Sequence, residues 1–278
     1  MDEIQYQTTY YPELLRKEFG ENKPITAVVL GSGLGRYTDQ LESDSKRSFA
    51  YSAFGFPIPN IPGHAGKLHL GKIAGRNVAL LSGRVHYYEG FSMNEVAHSV
   101  RMLALAGIER FIITCAVGAI KRCHQPGNIL YIKDHIKLVF DSPLREIDEG
   151  KFGKRFIDMT NAYDSEWAEQ AFQIARKNNY ILRAGSLAMM PGPQYETPLE
   201  IQILHDLHII DIVGMSTVPE VIALRAMDKK ILGLACVTNM AAGLSEQKLS
   251  HKEVMETAAK AEKDFSFLLT EFIKGIPE

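Results

Sequence analysis

The chain has 278 residues, 46% of them hydrophobic and 23% charged, ordinary globular values that exclude a collagen, a coiled coil or a disordered chain. Thirty-one lysines and arginines against 33 aspartates and glutamates give a formal net charge of −2, which excludes a polyanion-coating protein. Three cysteines (Cys115, Cys123 and Cys236) and an acidic start without the apolar stretch of a signal peptide predict a cytoplasmic protein with reduced thiols.

A helix is predicted over 11–19, then strands at 27–30 and 78–81 and a helix over 92–106. Strands at 111–114 and 129–132 precede helices over 164–176 and 198–207. A strand at 211–213, a helix over 218–227, a strand at 231–237 and a helix over 252–272 complete the chain. Several strands are apolar at successive positions, as strands covered on both faces are. Alternating strands and helices predict an α/β architecture with a largely parallel or mixed sheet. No repeat, low-complexity tract or Pro/Ser-rich linker divides the chain, so one domain over 1–278 is expected. No run approaches the ~20 apolar residues of a membrane-spanning helix. Capping boxes are predicted at Ser92/Glu95, Thr197/Glu200, Thr217/Glu220 and Ser250/Glu253.

The loop GSGLG at 31–35 follows a strand, and its glycines allow backbone N–H groups to approach an anion, with Ser32 as a hydroxyl donor. Its G-x-G-x-G spacing is not the dinucleotide fingerprint. In GRVHYYEG at 83–90, alternation along an extended segment puts Arg84, His86 and Tyr88 on one face. A guanidinium suits phosphate, and an imidazole can donate to the same anion. Tyr195 offers an aromatic face for a flat ring. Glu196, just before an N-cap, is expected in a positive local field that favours its ionised form. Ser216 precedes another helix start, and Asn239 ends a buried strand with a group that both donates and accepts. His64, in GHAGK, reads by itself as structural. Histidine, cysteine and carboxylate spacing predicts no metal site, and no nucleophilic elbow is present.

Together these segments resemble the trimeric class of purine nucleoside phosphorylases. The resemblance rests on GSGLG at 31–35, PGHAGKL at 62–68, GRVHYYEG at 83–90, GPQYET at 192–197, VGMSTVPEV at 213–221 and TNMAAGLS at 238–245. It runs in order over essentially the whole chain. It implies an α/β fold with a mixed, distorted, barrel-like central sheet surrounded by helices, assembled as a homotrimer. It implies a pentosyltransferase of purine salvage: reversible phosphorolysis of purine ribonucleosides and deoxyribonucleosides to the free base and the sugar 1-phosphate. Inorganic phosphate is then a co-substrate and no cofactor is needed, and neither nucleic acid nor membrane is a partner.

By the same resemblance Ser32, Arg84, His86, Ser216 and the backbone N–H of Ala116 would hold phosphate. Tyr88, Met215 and His251 would contact ribose, with Phe152 supplied by the neighbouring subunit. Tyr195, Glu196, Val213, Thr238 and Asn239 would surround the base, and Asn239, Glu196 and His86 would carry the catalysis. A carboxylate at Glu196 accepts the N1–H of hypoxanthine or guanine, which adenine lacks, so inosine and guanosine are the expected substrates. Related methylthioadenosine phosphorylases typically carry Asp at the place of Asn239, which makes a methylthioadenosine or adenosine phosphorylase the second reading. A non-catalytic purine-binding member of the family is the third. Its motivation is the segment CAVGA at 115–119, where the family usually has Asn-Ala-Ala-Gly-Gly.

Overall fold

Strands that are apolar at successive positions need cover on both faces, and the structure supplies it. The computed structural model describes residues 6–145, 150–245 and 249–276, with the side chains of 251 and 252 outside that description. The strands are β1 (Thr26–Leu30), β2 (Arg47–Ala50), β3 (Lys67–Ile73), β4 (Arg76–Ser82), β5 (Arg110–Ala119), β6 (Ile129–Lys137), β7 (Arg183–Met189), β8 (Ile212–Gly214) and β9 (Lys230–Met240). The helices are α1 (Tyr11–Phe19), α2 (Met93–Val96), α3 (His98–Leu105), α4 (Ser165–Lys177), α5 (Pro198–Asp206), α6 (Val218–Ala226) and α7 (His251–Lys274).

Five strands close on themselves in the order β5-β8-β7-β6-β9, and β9 returns to β5. From β5 the sheet extends outward through β1, β4, β3 and β2. The expected mixed, barrel-like sheet is therefore present. β5 is the hinge of this arrangement. Its first residues pair with β1, its last two pair with β8, and its whole length pairs with β9. β4, β1, β5 and β9 are parallel in sequence of neighbours, so their C-terminal ends lie on one edge. All five residues of β1 are buried, which matches its unbroken apolar run.

The helices cover the sheet. In α7, Ala258, Ala261, Phe265, Leu268, Leu269, Phe272 and Ile273 are buried at helical spacing, a single apolar face. α6 is buried almost throughout, as its nearly continuous apolar sequence requires.

Some elements differ from the sequence reading. β2, β3 and β7 have no unbroken apolar run: β2 is an exposed edge, Gly71 interrupts β3, and Gly185 and Ser186 interrupt β7. The helix expected over 92–106 is two, because the chain tightens at Ala97 (φ −87°, ψ −3°) between α2 and α3. The capping boxes at Ser92 and Thr197 are formed, and Ser250 Oγ accepts the N–H of Glu253. The one at Thr217 is not: Thr217 has φ +77° and makes no side-chain cap, and Glu220 turns inward.

The glycine-rich loop after β1 depends on close approach to α7. Gly33 has φ +83°, and a Cβ there would lie 2.2 Å from the Cβ of Ala258. Gly33→Ala is expected to destabilise the fold by at least about 2 kcal/mol, from backbone strain and overpacking together. A lower urea midpoint with an unchanged m-value measures it.

Candidate active site

A cleft of about 710 Å³ opens at the C-terminal ends of β1, β4, β5 and β9, where parallel strands deliver loops to a common edge. Twelve residues singled out from the sequence line it: Ser32, Arg84, His86, Tyr88, Ala116, Tyr195, Glu196, Val213, Met215, Ser216, Thr238 and Asn239. They come from segments up to 207 positions apart (32 to 239).

One wall is built to receive an anion. Ser32 Oγ lies 3.2 Å from His64 Nε2, and His64 Nδ1 accepts the backbone N–H of Arg84 at 2.8 Å. An Nδ1 that accepts leaves the ring proton on Nε2 in the neutral imidazole, so Nε2 donates to Ser32. The hydroxyl proton of Ser32 is thereby free to donate into the cleft. Arg84 is buried; its Nη1 lies 3.1 Å from Glu220 and its Nη2 donates to Thr114 O. Of its five N–H donors these use two, and the rest are available to a bidentate acceptor. The His86 ring Nδ1 is 2.9 Å from Glu89 Oε1, which also accepts the His86 backbone N–H. Burial would raise the Glu89 carboxyl, but hydrogen bonds from the His86 ring and from the N–H groups of Asn60 and His86 outweigh it and hold it below its ordinary range. With Nδ1 engaged, Nε2 is the edge of His86 left to a ligand. The ring stacks on Tyr88, centroids 4.7 Å apart and 12° from parallel. Burial pushes the Tyr88 phenol up to about 12, so it stays a neutral donor.

Ser216 reaches this wall through an uncommon turn. Val218 N–H donates to Ser216 O at 2.9 Å across Thr217, whose φ of +77° and ψ of −49° describe a γ-turn. A β-branched residue in that conformation is strained, and the strain sits beside a ligand-facing hydroxyl.

The other wall carries amide and carboxyl groups. Along β5 and β9 the register runs Val117↔Val237 and then Gly118↔Asn239, which leaves Thr238 as the extra residue of a β-bulge. A regular strand would send Thr238 and Asn239 to opposite faces; the bulge lets both line the cleft. Thr238 Oγ1 lies 2.9 Å from Asn239 Oδ1 and 3.2 Å from Val117 O, and Asn239 Nδ2 donates to Met240 O at 3.0 Å. One amide N–H and one carbonyl lone pair of Asn239 are left for a ligand. Glu196 is 9% exposed, and burial pushes its carboxyl up. This reverses the expected direction: desolvation by burial outweighs the hydrogen bond from its own backbone N–H, and the nearby Glu200 carboxylate pushes the same way as burial.

Two residues stand apart from the cleft. Phe152 is buried in its own chain, with the Arg101 guanidinium 5.5 Å from its ring centroid, and does not line this chain's cleft. His251 opens α7, but its side chain lies outside the described residues. Three residues that the sequence reading did not place in the site belong to its framework: His64, Glu89 and Glu220. Glu220 had a signal of its own, since it is the one charged residue in the run VPEVIAL, where a solvated side chain has no free face.

A family model described as the phosphorylase superfamily matches residues 26–274. Purine nucleoside phosphorylase 1 of Bacillus subtilis is 40% identical over 242 residues, covering 87% of this chain and 89% of its own length. Purine nucleoside phosphorylase of Bos taurus is 35% identical over 265 residues, covering 92% and 91%. The crystal structure of Schistosoma mansoni purine nucleoside phosphorylase in complex with inosine superposes with a TM-score of 0.89 at 29% identity, covering 98% of each chain.

His64 supports the anion wall from behind, so its removal separates framework from ligand contact. His64→Ala leaves the buried Arg84 N–H without its acceptor and is expected to cost about 1–3 kcal/mol in chemical denaturation. Ser32→Ala, which leaves that acceptor in place and removes only the longer contact to His64 Nε2, is expected to cost less than His64→Ala, about 1 kcal/mol or below.

Proposed function

The chain belongs to the phosphorylase superfamily, and within it to the purine nucleoside phosphorylases, and we propose that it cleaves inosine and guanosine in preference to other purine nucleosides. The observation that carries this reading is the division of one cleft between a phosphate-sized wall of Arg84, His86, Ser32 and Ser216 and a base-sized wall of Glu196, Thr238 and Asn239. Inorganic phosphate is the nucleophile and co-substrate, so no covalent enzyme group takes part. As the glycosidic bond stretches, the sugar becomes cation-like and negative charge builds on the purine. The amide N–H of Asn239 donates to that charge, an interaction stronger in the transition state than in the bound substrate. Phosphate, held by Arg84, His86, Ser32, Ser216 and the Ala116 N–H, attacks C1′, and the clamping of both reactants supplies the positional advantage. Tyr88 and Met215, with His251, contact the sugar, and Tyr195 and Val213 flank the base.

The active form is a homotrimer in the cytoplasm. Support comes from the resemblance and from a groove of about 1010 Å³ beside the Phe152 segment, lined by His135, Leu144, Phe156, Met159 and Ile222. Phe140 and Phe156 are exposed in the single chain, an uncommon placement for large aromatics in a monomer. In the trimer, Phe152 leaves its packing on Arg101 to reach the partner's ribose.

A substrate panel of inosine, guanosine, adenosine and methylthioadenosine, with and without phosphate, tests the reading. Phosphate-dependent release of hypoxanthine and guanine is expected to exceed release of adenine. Asn239→Ala is expected to lower kcat about 10²–10³-fold with little change in Tm, and Asn239→Asp to move relative activity toward adenosine. Purine binding without turnover would instead place the chain among non-catalytic members.

Glu196 generates a pH prediction. Its pKa is raised, so on falling pH it gains a proton above the ordinary 4.5 of a glutamate. A protonated carboxyl is a weaker acceptor for the N1–H of inosine than the carboxylate, because the charge assistance is lost. The KM for inosine is therefore expected to rise on the acid side, starting above pH 4.5, and Glu196→Gln is expected to lose that limb. Stability runs the other way: a raised folded-state pKa stabilises the fold below the unfolded value and loses that contribution as pH rises through the folded one.

A further inference from the structure

The anion wall contains its own counter-charge. Glu220, in the first turn of α6, places both carboxylate oxygens 3.1 Å from Arg84 Nη1, and the two side chains are 2% and 4% exposed. A guanidinium buried this deeply would otherwise stand uncompensated. Glu220 compensates it before any ligand arrives. The carboxylate makes no cap at the start of α6, so its placement serves Arg84 rather than the helix end. The same helix start brings Ser216 to the cleft. A phosphate entering here meets aligned donors on an ion pair with no net charge.

We propose that Glu220 is a positioning residue that sets the affinity of the phosphate subsite: acting through Arg84, it fixes the guanidinium and weakens its attraction for a dianion. The proposal rests on the reading of this cleft as a phosphate site. Its consequence is a subsite from which phosphate and the sugar phosphate product dissociate readily, with the geometry for in-line attack already set.

Glu220→Gln keeps the side-chain length and an oxygen for Nη1 while removing the charge. Sulfate is the probe, because it is a dianion that occupies such a site without reacting. Calorimetry at millimolar sulfate is expected to show binding about tenfold tighter to Glu220→Gln than to the unaltered protein. The phosphate KM is expected to fall by a similar factor with the inosine KM unchanged. Glu220→Asp, which keeps the charge, is expected to stay within about threefold of the unaltered protein. Should Glu220→Gln fold poorly, millimolar sulfate is expected to restore its Tm, since the added anion replaces the missing carboxylate. Sulfate affinity that is unchanged or weaker in Glu220→Gln, or a variant that sulfate does not restore, overturns the proposal and leaves Glu220 a structural partner alone. Equal tightening in Glu220→Asp overturns it too. Sulfate binding needs no nucleoside, so the result stands apart from whether inosine is cleaved.

Discussion

A guanidinium sealed from water needs its charge matched and its donors engaged, and Arg84 draws four separate stretches of chain together to meet that need. Its backbone N–H is held by His64, its Nη2 by Thr114 O and its Nη1 by Glu220. Thr114 extends the link: its hydroxyl donates to Val29 O and accepts the N–H of Gly31. The loop after β1, the turn at His64, the body of β5 and the start of α6 are thus tied together through Arg84 and Thr114. The anion wall is the side of that cation which the matching leaves open. Glu220 is in this sense as much a part of the fold as of the site, because without it the charge at Arg84 has no place in the interior.

The base wall answers a different constraint. A strand with strict alternation can present only every second residue to a cleft. The bulge at Thr238 breaks the alternation near the end of the ladder, so that residues at adjacent positions, one with a hydroxyl and one with an amide, line the same cleft. Thr238 then orients the amide it stands beside, with its Oγ1 2.9 Å from Asn239 Oδ1. The orientation matters because the two ends of a carboxamide have opposite hydrogen-bonding sense, and only the N–H end can meet a purine that gains negative charge.

Sequence reasoning reached the apolar strands and the amphipathic helices because both have a period that survives without tertiary context. It missed β2, β3 and β7, whose edge position or Gly and Ser residues erase that period. It placed Ser32, Arg84, His86, Ser216 and Asn239 at loop ends after strands, and the structure gathers them into one cleft. It read Thr217 and Glu220 as a cap because the spacing fits one. What spacing cannot carry is competition: a carboxylate three residues into a helix goes to the N-cap only when no buried cation claims it first. The direction at Glu196 failed for the same reason. The helix start was read from neighbouring residues, but the cause that decides the direction is burial, which local spacing does not carry.

Arg84 and His86, the two cleft residues proposed to face phosphate, are both held by carboxylates, Arg84 by Glu220 and His86 by Glu89. A wall with unopposed positive charge would bind phosphate tightly in the ground state. Tight ground-state binding lowers KM without raising kcat, and it slows the departure of a product that carries the same phosphate group. A wall whose cations are already paired holds phosphate more loosely, and the interaction that strengthens as charge separates is then the one on the other wall, where Asn239 faces the base that would become anionic. In such a cleft, the carboxylates that fold the anion wall together limit ground-state binding, and the amide of the base wall is left to favour the breaking of the glycosidic bond.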